Sequence, residues 1–184
     1  MIVSVDIRLA SMISALSNVI APAVETNAFA TEQAQLVAGH LQALQAQREH
    51  SAEYERLEHR YLRHLAADVV LGTEGGPRTS EAAGRLGELL DSPEPVGLSD
   101  LRAAHAALAT AVADFVAAEG EDGTDESVAR STRSIVRAEH AQSLRDRSFF
   151  KPFGYEDGSV DVEPIDQMMD GFRNKYPTRD GASA

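Results

Sequence analysis

The chain has 184 residues, a formal charge of −12, no cysteine and no tryptophan. That length suits one domain with a sizeable core. The missing cysteines remove disulfides, thiolate nucleophiles and cysteine-held metals together, and the acidity argues against duplex nucleic acid and anionic membranes as partners.

The first predicted helix covers about residues 5–24, with Leu9, Met12, Ile13, Leu16, Val19 and Ile20 as its apolar stripe. Pro22 ends or kinks it, because proline has no N–H to donate to the preceding turn. The stretch Leu9–Val24 lacks the basic leader and unbroken apolar core of a secretory signal. It is also too short and too polar for a membrane span. The expected location is therefore cytoplasmic.

The dominant feature is the second predicted helix, Thr31–Leu71, which contains no proline and a single glycine, Gly39. Leu36, Val37, Leu41, Leu44, Tyr54, Leu57, Tyr61, Leu65 and Val69 recur at helical spacing. A rod of that length, roughly 60 Å at ~1.5 Å per residue, needs partner helices to cover its apolar side. Thr31 is its expected N-cap. Its middle, Gln45–Glu53, lacks a large apolar side chain. There the helix crosses solvent, bends, projects from the bundle or meets a second copy of the chain.

Gly72, Gly75, Gly76 and Pro77 form a loop, after which Thr79 or Ser80 caps a shorter helix to about Asp91. Pro93 and Pro95 mark a linker, and Ser99 caps a fourth helix to about Glu119. Its stripe is Leu101, Ala104, Leu108, Val112 and Phe115, with His105 close by as a hydrogen-bonded interior or boundary residue. Thr124 caps a fifth helix, which reaches Arg147. Beyond it, Phe149, Phe150, Phe153 and Tyr155 cluster around Pro152 and Gly154, and a short helix carrying Ile165, Met168, Met169 and Phe172 follows Pro164.

The fold class that results is all-α: an antiparallel four-helix-type bundle with one extra shorter helix and an irregular C-terminal arm. The bundle domain spans 1–147 and the arm 148–184. The chain has no internal repeat.

Reaction chemistry does not assemble from these residues. A di-iron bundle needs Glu-x-x-His on two helices, and that spacing is absent, so neither a metal nor a cofactor is expected. Phosphate-loop, dinucleotide and nucleophile-elbow motifs are absent too. Two arginine ladders stand out: Arg56, Arg60 and Arg63 on the second helix, and Arg130, Arg133 and Arg137 on the fifth. Each places three guanidinium groups on one face, a geometry suited to phosphate or carboxylate. Pairing with Glu53, Glu55, Glu58 and Glu139 is the simpler reading.

The expected function is therefore a non-catalytic helical interaction protein, an accessory subunit or scaffold that self-associates or meets a protein partner. The segment 149–155 either seals one end of the bundle or docks a partner; Phe149, Phe150, Phe153, Tyr155, Met168, Met169 and Phe172 are the docking candidates. The alternative is a bundle, or an enzyme, that binds a nucleotide- or coenzyme-A-type anion between the second and fifth helices. Arg60, Arg63, Arg133 and Arg137 would hold the anion, and His59 or His140 would transfer protons. No motif points to a known family.

Overall fold

A computed structural model describes residues 4–153 and 161–175. Every regular element among them is helical: α1 (Val5–Ala15), a π segment (Leu16–Ile20), α2 (Ala21–Ala23), α3 (Ala28–Gln47), α4 (Ser51–Val70), α5 (Pro77–Asp91), α6 (Leu98–Asp122), α7 (Asp125–Phe150), a 3-10 turn (Lys151–Phe153) and α8 (Ile165–Lys175). The protein is thus all-α.

The long predicted rod is two helices. The chain turns at Arg48–His50, between α3 and α4. The cause is the polar stretch already noted. With no large apolar side chain to hold the helix against a core, local polar bonds take over. The His50 N–H donates to the Gln47 carbonyl at 3.0 Å, the Ser51 hydroxyl donates to the same carbonyl at 2.9 Å, and the Gln47 side chain donates to the Phe149 carbonyl at 2.8 Å.

Three helix starts also move. Asn27, not Thr31, caps α3, its Oδ1 accepting from the Ala30 N–H at 3.1 Å. α5 begins at Pro77 and α6 at Leu98, each behind a glycine. Thr124 does open α7, its hydroxyl accepting from the Ser127 N–H at 3.2 Å. Ahead of Pro22 the first helix widens into the π segment, since the proline offers no N–H to the turn before it.

The chain divides into two compact units: Met1–Ser51 with Leu144–Ala184, and Ala52–Ser143. This partition differs from a boundary at residue 147, because the segment after Leu144 belongs with the N-terminal helices. In the first unit, Val162, Ile165, Met168, Met169 and Phe172 are buried, as is Phe149. Arg48 pairs with Asp6 at 2.6 Å, and His50 meets Asp166 at 2.8 Å. α3 buries Ala34, Ala38, Ala43 and Gln47, whereas α1 has no fully buried residue.

The second unit has a conventional core: Ala66 and Val69 of α4, Ala82 and Leu86 of α5, and Leu108, Val112 and Phe115 of α6. α6 is the one described helix long and apolar enough, by composition, to cross a membrane. Nine alanines supply much of that apolarity, and its large apolar side chains Leu101, Leu108, Val112 and Phe115 are buried in the core.

The loops before α5 and α7 meet in a short antiparallel bridge, Gly75 with Gly123. A side chain on Gly75 would stand 2.9 Å from the Gly123 Cα, so glycine is needed for the approach. Gly72 turns the chain with φ +67°, a conformation other residues rarely adopt. Beneath the bridge lies Glu119, only 2% exposed. Its carboxylate accepts from the hydroxyls of Ser127, at 2.5 Å, and Ser131, and Ser127 in turn accepts from the Glu74 N–H and Arg130.

Candidate functional site

Two arrangements stand out: a cleft in the second unit and an exposed apolar face in the first. The cleft lies between α4 and α6. Tyr54, Glu55 and Glu58 repeat at helical spacing on α4, and Leu101, Arg102 and His105 do so on α6. Together they line a space of about 220 Å³. Arg102 grips both oxygens of Glu55 at 2.6 Å. That fork holds the Glu55 carboxyl below its usual pKa, despite some opposition from burial.

His105 lines the cleft, and its ring lies 6.0 Å, centre to centre, from that of His59. His59 sits one helical turn beyond Glu55 on α4 and is 2% exposed. Among the described residues, neither of its ring nitrogens has a hydrogen-bond partner. Burial pushes its pKa below the usual imidazole value. His105, Arg63 and Arg60 push the same way, and Glu94 opposes them. The ring is therefore neutral at neutral pH, with one N–H and one lone pair both uncompensated. Such a group costs roughly 1–3 kcal/mol and calls for an explanation.

The first arginine ladder is engaged by the connection between α5 and α6. Arg56 donates to the carbonyls of Pro95, at 3.2 Å, and Val96. Arg60 forks onto Glu94 at 2.8 and 3.2 Å, which raises its pKa. Arg63 donates to the carbonyls of Leu90, Ser92 (3.1 Å) and Leu89 (3.5 Å), capping the C-terminal end of α5. Partners on the linker replace the glutamates that the ladder's own helix suggested. On α7, Arg130 reaches Ser127 at 3.0 Å. Arg137 reaches the Arg133 carbonyl and the Ser134 hydroxyl of its own helix, at 3.3 and 3.4 Å. Arg133, Arg137 and His140 are exposed. Thus Arg60 and Arg63 bond to the α5–α6 connection, Arg137 to its own helix, and His59 lies beside His105.

The docking candidates of the C-terminal segment are largely interior. Phe149, Met168, Met169 and Phe172 are buried, and Phe150 is half-exposed with its ring edge-on to Phe149 at 5.5 Å. Tyr155 and the Phe153 side chain lie outside the described residues. The exposed apolar side chains include several that the periodicity assigned inward: Met12, Val19, Ile20, Leu36, Val37 and Leu44. On α3, Phe29 is 70% exposed, Leu36 47%, Val37 48% and Leu44 50%. On the first helical segment, Val5, Ile7, Met12, Val19 and Ile20 are exposed. α3 turns Ala34, Ala38 and Ala43 inward and leaves the larger Phe29, Leu36, Val37 and Leu44 outside.

Among the described residues, no cluster of three or more histidine, aspartate or glutamate side chains is placed to hold a metal. No protein-family model, curated protein or solved structure matches the chain.

Proposed function

We propose that the protein is a non-catalytic helical interaction protein whose first unit docks a second copy of the chain along α3. The observation that carries this reading is the exposed stripe Phe29, Leu36, Val37 and Leu44, on a helix whose inward contacts use alanines. Large contiguous apolar surfaces that stay exposed mark interaction sites.

Charge favours a copy over a strongly charged partner. Of the −12 on the chain, residues 5–47 carry only −2, from Asp6, Arg8, Glu25 and Glu32. A nearly uncharged face meets its own copy without repulsion and offers a strongly charged partner little to pair with. Each of the four side chains retains about 1 kcal/mol of unrealised burial, taking half of a full Leu, Val or Phe. Two copies gather about 8 kcal/mol, of the same order as the cost of association. Association on this face is therefore reversible and concentration-dependent.

Sedimentation velocity over a wide concentration range tests the proposal. The expected result is a mass rising from the 19.8 kDa monomer toward twice that value. The Leu36→Glu/Leu44→Glu variant should stay monomeric with unchanged helix content. A wild-type chain that remains monomeric at high concentration overturns it.

A further inference from the structure

We propose that the α4–α6 cleft binds a small, uncharged, mostly apolar molecule of single-ring size, whose one hydrogen-bonding group is met by His105. The site is independent of the α3 stripe and lies wholly in the second unit.

Size sets the first limit. The space is about 220 Å³, larger than the roughly 150 Å³ apolar cavity that takes a bare benzene ring. A ring with one substituent fits; a nucleotide does not. The walls set the second limit. Tyr54 and Leu101 are buried apolar side chains on opposite helices. They present the surface against which a flat ring packs.

Charge sets the third. Arg102 is the cation of the lining, and both its contacts go to Glu55. An anion entering the cleft would compete with that bidentate pair and would face Glu58 as well. The site therefore rejects the phosphate or carboxylate ligands to which the arginine ladders drew attention. It supplies imidazole instead. His105 is at the wall and half-buried, and its ring lies 6.0 Å from that of His59, which is buried outside the lining. The His105 ring can donate to or accept from a hydroxyl or ring nitrogen on the ligand. A site that hydrogen-bonds its ligand discriminates against the analogue that lacks the bonding group.

The probes are 4-fluorophenol and fluorobenzene, followed by fluorine NMR together with the ring resonances of isotopically labelled histidine. Titrating the full-length chain with 4-fluorophenol should shift the His59 and His105 ring signals saturably. Fluorobenzene should bind about tenfold more weakly, the equivalent of one net hydrogen bond. His105→Phe should erase the difference between the two probes. The comparison in the unmodified protein stands whether or not that variant folds. If the imidazole signals do not move at millimolar 4-fluorophenol, or if the two probes bind equally well, the inference fails.

Discussion

Arg63 offers the sharpest check on the reading of the arginine ladder. α5 ends at Asp91, and its last carbonyls have no partner within the helix. The Arg63 guanidinium meets those of Leu89 and Leu90 and continues to Ser92. A hydrogen bond from a charged donor contributes about 1.5–3 kcal/mol. Here one of the three is at the distance limit, and water can reach carbonyls at a half-exposed helix end. Arg63→Ala should therefore lose about 1–2 kcal/mol in total, equivalent to roughly 2–8 °C in Tm for a chain of this size. Arg63→Lys should recover about half, since an ammonium cannot serve several carbonyls with one planar fork. Urea titration followed by helical circular dichroism reads both, with the midpoint falling and the slope unchanged. Wild-type stability in Arg63→Ala would refute the capping role and return the guanidinium to the anion-binding candidates.

Three further outcomes follow from the packing. Glu119→Ala should cost about 2–3 kcal/mol, because the Ser127 hydroxyl loses its acceptor while Ser131 can still turn to the Ser127 and Val128 carbonyls; Glu119→Gln should cost less, and denaturant titration separates them. His59 makes stability depend on pH. Its folded pKa is lowered, so the unfolded chain binds the proton more readily, and its contribution is complete above about pH 6.5 and shrinks as pH falls below it. The loss is at most about 1.4 kcal/mol per pH unit, and His59→Phe should show a shallower decline between neutral and mildly acidic pH. On α3, Ala43→Leu should destabilise by about 1–3 kcal/mol through overpacking, whereas Leu36→Ala should change the Tm of dilute protein little, since Leu36 is half exposed and Ala43 fully buried.

Helical identity was legible in the chain because local patterns decide it. Gly72, Pro77 and the Pro93–Pro95 linker punctuate the helices, Thr124 opens α7, and Ile165, Met168, Met169 and Phe172 mark α8. Which face of a helix is inward was less legible. α3 carries apolar residues on both sides, so periodicity cannot choose between the arc of Ala34 and Ala38 and that of Leu36 and Leu44. The larger residues were assigned inward, but the close approach of neighbouring helices selects alanine. The ladder of Arg56, Arg60 and Arg63 was visible as a pattern. Its partners were not, because Glu94 and the end of α5 are brought to it by a linker some thirty residues away. The same holds for the cleft: Glu55 and Arg102 lie 47 residues apart. No local signal joins His59 to His105, although each stood out separately.

Disulfide trapping addresses the self-association most directly, because the natural chain contains no cysteine and a single introduced thiol reports one position. Leu36 lies midway along the Phe29–Leu44 stripe, so it meets its copy whether the two helices run parallel or antiparallel. Gln42, exposed on the other side of α3, serves as the control. Under mild oxidation, Leu36→Cys should give the covalent dimer in high yield and Gln42→Cys should stay largely monomeric; equal trapping at the two positions, or preferential trapping at Gln42→Cys, would contradict the docking of two copies along this stripe.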